Sequence, residues 1–153
     1  MDGICQIRDA RRGDLPVLLE LYSQLAPQDA PLGLEAAGRI WDRIASYPCY
    51  RVRLAERDGI AIGTYSLLAM DNLAHGGAGT AILENVVVRE GLRGNGTGKT
   101  MLLDAAELAR EAGCYKLALS SGLARTAAHA FYEGLGYRRH GHSYYLPLEE
   151  TNV

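Results

Sequence analysis

Residues 91–100 read "GLRGNGTGKT" and follow directly on the apolar run "ILENVVV" (82–88). Glycines at this density beside a lysine and a threonine point to bound phosphate, and three loop patterns compete for them. The ATP-binding P-loop needs a glycine five positions before the glycine of Gly-Lys-Thr, and counting back from Gly98 lands on Arg93. A P-loop also normally follows an early strand, whereas this segment lies late in the chain. The dinucleotide fingerprint wants glycine at its first, third and sixth positions. Gly94 and Gly96 satisfy two of these, but the sixth is Lys99, and no acidic residue stands at the required distance beyond. What survives is Arg93-Gly94-Asn95-Gly96-Thr97-Gly98, of the form Arg/Gln-x-x-Gly-x-Gly, opening a helix.

Such a segment suits an anion whatever its name. Glycine lets the backbone turn so that successive N–H groups converge on one point. The positive end of the helix starting near Gly96 adds to them. Arg93 and Lys99 bring mobile charge suited to a diphosphate.

Outward from this loop, Thr80 to Val88 reads as a strand apolar enough to be buried on both faces. "YRVRLAE", the turn "RDG" and "IAIGTYSLLAM" make residues 50–70 a hairpin, and "DNLAHGGAG" is a loop. Upstream, residues 4–8 predict a first strand. Asp14 predicts the cap of a helix with Pro16 in its first turn, and Pro27 and Pro31 end it. Leu34 to Ser46 predicts a second helix, with Ile40, Trp41 and Ile44 on one stripe. Downstream, "KTMLLDAAELAREAG" is a helix carrying Leu102, Ala105, Ala106 and Ala109 at helical spacing, with Gly113 at its C′ position. "CYKLALS" is a further buried strand. "RTAAHAFYEGLG" is a helix with Ala128, Phe131 and Leu135 inward, and "YRRHGHSYYLPL" closes the chain as an extended arm. The order β-α-α-β-β-β-α-β-α-β gives an α/β (α+β) domain spanning 1–153, a mixed sheet with helices on its faces.

Composition excludes several classes. A net charge of −2 argues against a general nucleic-acid or anionic-membrane surface. Cys5, Cys49 and Cys114 offer neither a CxxC pair nor metal-type spacing, so reduced thiols and no metal are expected. No charged segment followed by an apolar stretch marks a signal peptide, and no apolar run approaches the roughly 20 residues that cross a bilayer. A cytoplasmic protein is the expectation.

With strand, loop, helix, strand and "AFYEGLGY" in that order, residues 80–147 resemble the GNAT superfamily of acyl-CoA N-acyltransferases, and the earlier helices and hairpin are compatible with it. "ENVVV" and "CYK" look most like the branch that includes glucosamine-6-phosphate N-acetyltransferase. The resemblance implies a mostly antiparallel central sheet flanked by helices, whose splayed central strands hold acetyl-CoA as cosubstrate. It implies that the backbone of Val86, Val87 and Val88 hydrogen-bonds the pantetheine arm like an added strand. Amides of Arg93, Gly94, Asn95, Gly96, Thr97, Gly98, Lys99 and Thr100 would hold the pyrophosphate. Arg125 departs from the family, which often has asparagine there contacting the cofactor arm; arginine would approach the phosphates or an acidic substrate instead.

Acetyl transfer from a thioester to an amine needs a deprotonated amine, a stabilised oxyanion and a proton for the departing thiolate. Tyr132, at the family's tyrosine position, is the candidate proton donor. Glu84 is the candidate base, directly or through water. On a regular strand Ile82, Glu84, Val86 and Val88 share one face, so the carboxylate stands in an apolar row whose burial would raise its pKa; a structural ion pair is the competing role. The oxyanion donor would be a backbone N–H of the Val86–Val88 strand. His129 is expected to pack at a helix face, while His75, His140 and His142 could line an acceptor pocket or stay solvated. Tyr22, Tyr144 and Tyr145 are further acceptor-side candidates, and Trp41 is expected in the core or at its rim.

These readings describe an N-acetyltransferase acting on a primary amine of a small molecule or peptide, without metal or covalent intermediate. The alternatives are a non-catalytic acyl-CoA sensor of the same fold, which needs neither Glu84 nor Tyr132, and a nucleotide kinase or ATPase. Slight acidity favours a cationic acceptor, and the apolar C-terminal arm could support a homodimer.

Overall fold

The alternating pattern of residues 50–70 folds as expected into a hairpin, β2 (Tyr50–Arg57) and β3 (Ile60–Met70), around which the rest assembles. This structure, a computed structural model, describes residues 3–148. The chain divides into two units, Met1–Leu119 and Ser120–Val153. In the first, β1 (Gln6–Asp9) pairs antiparallel with β2, and β4 (Gly79–Val88) pairs antiparallel with β3. β5 (Cys114–Ala118) pairs parallel with β4, a connection that requires a crossover, supplied here by helix α3 (Thr97–Glu111). The sheet order is β1-β2-β3-β4-β5.

Helices α1 (Leu15–Tyr22) and α2 (Leu34–Ser46) cover one face. Leu18 and Leu21 pack there with Val52, Leu54 and Val87, flanked by Trp41 and Ile44. Successive strand residues point to opposite faces, so Arg53, Gly63 and Tyr65 face α3. A Cβ on Gly63 would meet the Met101 side chain, and Tyr65 Oη hydrogen-bonds Asp104. Arg53 is buried, and its fork donates to Asp104 through Nε and Nη2, each at 3.1 Å, while Nη1 donates to Asp9 at 2.9 Å. This ion-pair network ties α3 to the sheet.

Several expectations shift. The first strand sits at Gln6–Asp9 rather than 4–8. Asp14 does not cap α1 with its side chain; its Oδ2 accepts the Arg11 amide at 2.7 Å, closing the 3-10 turn Arg12–Asp14, and both oxygens accept from Arg8. α1 ends at Tyr22, before Pro27, because the amides of Gln24 and Leu25 bond back to Leu21 and Tyr22 and tighten its last turn.

The larger correction lies in β4. Ser66 pairs with Glu84 but Thr64 pairs with Val87, so Asn85 and Val86 oppose Tyr65 alone. Asn85 has φ 54°, the left-handed conformation that asparagine tolerates better than most residues. This is a β-bulge, and it reverses the alternation. Leu83, opposite Leu67, lies on the α3 face, whereas Val87, four residues on, packs with α1. Val88, opposite Gly63, lies on the α3 face as well. Ile82, Glu84, Val86 and Val88 therefore do not share a face, and Glu84 is exposed instead of buried.

In the second unit, α4 (Thr126–Gly134) forms as expected. Phe131 is 39% exposed rather than inward. Residues 137–148 form no strand; Gly141 interrupts them at φ 143°, and Arg138 to Leu148 are exposed.

Candidate functional site

The glycine-rich loop runs from the end of β4 into α3. Gly94 and Gly96 adopt φ 84° and 77°, and Gly96 is the N-cap of α3. A Cβ at either position would meet nothing within 4 Å, so the requirement for glycine there is conformational rather than steric. Among the described residues, the amides from Arg93 to Lys99 donate to no backbone carbonyl; the first to close the helix is Thr100, which bonds Gly96 O at 3.0 Å. A row of unspent N–H groups at the positive end of a fifteen-residue helix is suited to an anion.

The charged residues flanking this row behave differently from one another. Arg93 folds back, its Nε donating to Val88 O at 3.3 Å. Lys99 is exposed, and Thr100 caps its own turn through Oγ1 to Gly96 O. A cation that the sequence pattern does not flag, Arg57 at the end of β2, reaches the loop through Nη2, 3.4 Å from Asn95 O and 3.3 Å from Thr97 Oγ1.

Beside the loop, β4 and β5 part company. Their ladder covers Gly79 to Ile82 on β4, so the edge of β4 from Leu83 to Val88 has no strand partner in β5. The backbone of Val86, Val87 and Val88 thus borders an unpaired edge that runs into the anion loop. An extended ligand can pair there as a strand would.

On the α1/α2 face of the same strand lies a cavity of about 200 Å³. Its wall is mostly apolar, with Leu18, Trp41, Ile44 and Val52, and Tyr22, Tyr50, Ser66 and Asn85 also line it. Burial pushes the Tyr22 phenol up, with the Ser66 and Thr64 hydroxyls opposing. A second cavity of about 210 Å³ shares Trp41, Ile44, Tyr50 and Val52 with it and adds Asp9 and Arg51. Glu84, in register with Ser66, projects on this face. The sequence marks Asn85 in one respect: an asparagine inside an apolar strand run signals a bulge.

In the second unit, Tyr132 is half-buried on α4, its ring 5.5 Å from that of Phe131 and 5.8 Å from that of Tyr137. Burial raises its phenol above the ordinary value, and the nearby Arg125 guanidinium pulls in the opposite direction. Arg125 is the N-cap of α4 and donates its amide to Gly122 O at 3.0 Å. His129 Nε2 lies 3.0 Å from the same carbonyl, so it ties the helix face to its lead-in turn. His75 stacks on Tyr115 at 4.5 Å, and His140 and His142 are exposed. No group of three His, Cys, Asp or Glu among the described residues is arranged to hold a metal, and no described helix is long and apolar enough to cross a membrane.

The family model of the acetyltransferase (GNAT) family matches residues 15–137. A glucosamine 6-phosphate N-acetyltransferase of Trypanosoma brucei brucei is 32% identical over 143 residues, 94% of this chain and 95% of that one. An aminoalkylphosphonate N-acetyltransferase of Salmonella typhimurium is 29% identical over 136 residues, covering 89% and 86%. A solved structure from Agrobacterium tumefaciens superposes with a TM-score of 0.89 at 37% identity, over 93% of this chain and 99% of that one.

Proposed function

The chain belongs to the acetyltransferase (GNAT) family and is an N-acetyltransferase, and from that premise we propose that it moves the acetyl group of acetyl-CoA directly to the primary amine of a small molecule bearing a phosphate or phosphonate group. The observation that carries the donor half is the row of unspent amides from Arg93 to Lys99, continuous with the unpaired edge of β4. In this reading the pyrophosphate sits on those amides and the pantetheine arm pairs with the backbone of Val86, Val87 and Val88. Lys99 and Arg125 supply charge towards the phosphates.

The acceptor lies on the α1/α2 face, over the cavity bordered by Tyr22, Ser66 and Asn85. The two curated relatives act, by their names, on amines that carry phosphorus, and this supports the acceptor class. Glu84 takes the proton from the ammonium, directly or through water; its exposure leaves it open to an arriving acceptor but removes the burial that would have strengthened it as a base. A backbone N–H of the Val86–Val88 strand steadies the oxyanion. Tyr132 gives the departing thiolate its proton, a role for which a phenol held neutral by burial is suited. The reading places the protein in the cytoplasm, as one domain able to pair as a homodimer.

The test is thiol release from acetyl-CoA across a panel of amines, phosphorylated, phosphonate and uncharged. Release is expected with phosphorus-bearing amines. Release only with uncharged amines overturns the acceptor class, and CoA binding with no release for any amine overturns turnover in favour of a sensor.

A further inference from the structure

Arg57 ends β2, thirty-eight residues before Asn95, and nothing in the loop pattern points to it. Its surroundings are unusual for a guanidinium. Its Nε is buried, with no hydrogen-bond partner among the described residues. Among the described residues no carboxylate lies within ion-pair distance of it, and the neighbouring Glu56 is engaged by Arg8. Its two contacts, at 3.3 and 3.4 Å, go to Thr97 Oγ1 and Asn95 O, neither of which carries a charge. Thr97 itself is 1% exposed, so its hydroxyl is a fixed point at the first residue of α3. A partly buried cation with an unspent donor and no counter-ion is costly unless a ligand supplies the missing charge.

We propose that Arg57 is a positioning residue of the anion loop: it braces Asn95 and Thr97 from behind and lends its uncompensated charge to phosphate groups seated on the loop amides. The inference rests on the acetyl-CoA reading and adds a residue outside the Arg-x-x-Gly-x-Gly pattern to that site. A planar fork matters here because one edge can hold the loop while charge remains available to the ligand.

Titration calorimetry with CoA and with pantetheine, which lacks the diphosphate, tests it. Arg57→Gln is expected to weaken CoA about tenfold, the size of one lost charge-assisted contact, and to leave pantetheine unchanged. Arg57→Lys keeps the charge without the fork and should recover most of that loss, ending about threefold weaker than the parent chain. Should the glutamine variant fail to fold, the lysine variant carries the test, its loss again confined to CoA. The proposal is overturned if CoA binding stays within twofold of the parent chain in both variants, or if CoA and pantetheine weaken equally, the mark of a merely structural role. Parent protein that binds no CoA would instead overturn the acetyl-CoA reading itself, and this inference with it.

Discussion

Substitution of Asn85 separates the bulge in β4 from the cavity beside it. The residue is held at φ 54°, where an ordinary L-residue is disfavoured by about 1–2 kcal/mol and asparagine by less. Asn85→Gly relieves that strain but adds unfolded-chain entropy of roughly 0.5–1 kcal/mol, so it should leave stability nearly unchanged. Asn85→Ala should cost about 1 kcal/mol. Asn85→Val, β-branched at a left-handed position, should cost about 2 kcal/mol or more. At ~2–4 °C per kcal/mol for a chain of this size, the melting temperatures should fall in the order Gly, Ala, Val, spanning roughly 4–8 °C. Function should follow a different order. All three variants lose the side-chain amide of Asn85, a residue that lines the cavity with Ser66 and Tyr22, so on the proposed acceptor role each should raise KM for the acceptor. Glycine, with the bulge intact, should leave kcat and KM for acetyl-CoA near the parent values. Thermal melting combined with thiol-release kinetics reads both orders. An alanine variant as stable as the glycine variant would refute the claim that left-handed geometry selects asparagine here. Unchanged acceptor KM in the glycine variant would refute the role given to its side chain.

Three further perturbations probe the frame around the site. Gly63→Ala would put a Cβ 2.8 Å from Met101 Sδ and 2.9 Å from Val87 O, so it should cost ~1–3 kcal/mol in thermal melting and weaken CoA binding by shifting β4; a stable variant with parent affinity would show that the two strands can slide apart freely. Asp104→Asn leaves the buried Arg53 with Asp9 as its remaining carboxylate partner among the described residues and should cost about 3 kcal/mol, whereas Arg53→Met with Asp104→Leu should cost less than the sum of the single changes; additive costs in urea unfolding would count against a coupled pair. For Tyr132, burial raises the phenol above its ordinary value near 10, so the proton it donates is present throughout the neutral range and is lost only as pH climbs through that raised value. Thiol release should therefore show no alkaline fall from this group below about pH 10, and Tyr132→Phe should lower kcat roughly a hundredfold at every pH in that range; an unchanged kcat would remove Tyr132 from the reaction.

The geometry of the glycine-rich loop was largely legible in the sequence because backbone conformation dictates it. Positive φ at Gly94 and Gly96 demands glycine, a helix must start after them, and a strand must deliver the chain to that point, so spacing alone carries the information. Residues whose roles depend on tertiary register were not legible. Arg57 meets Thr97 only because β2, two strands away from β4 in the sheet, ends level with the start of α3. The bulge after Glu84 parts it from Val88, and strict alternation along the strand carries no sign of that break beyond the asparagine itself. The cavity over the α1/α2 face draws its wall from α1, α2, β2 and β3, and the apolar side chains involved are indistinguishable in sequence from ordinary core.

That bulge bears directly on how one strand can serve two substrates. Under unbroken alternation Glu84 and Val88 would share a face, and Leu83 and Val87 would share the other. The extra residue sends Val87 into the α1/α2 core, where it is 3% exposed, while Asn85 lines the cavity and Glu84, in register with Ser66, stays exposed on the same face. The unpaired edge of β4 faces towards β5, roughly at right angles to the cavity side. An amine arriving over the face and a thioester lying along the edge can therefore meet at residues 84–88 without displacing each other. Direct transfer needs that arrangement, since both reactants must be bound together, whereas a covalent enzyme intermediate would let them take turns. Deleting Val86 to restore regular pairing should on this reasoning abolish turnover and, because Val86 also borders the edge given to the pantetheine arm, weaken CoA; a deletion variant that folds and still turns over would show that the bulge is not what brings the two substrates together.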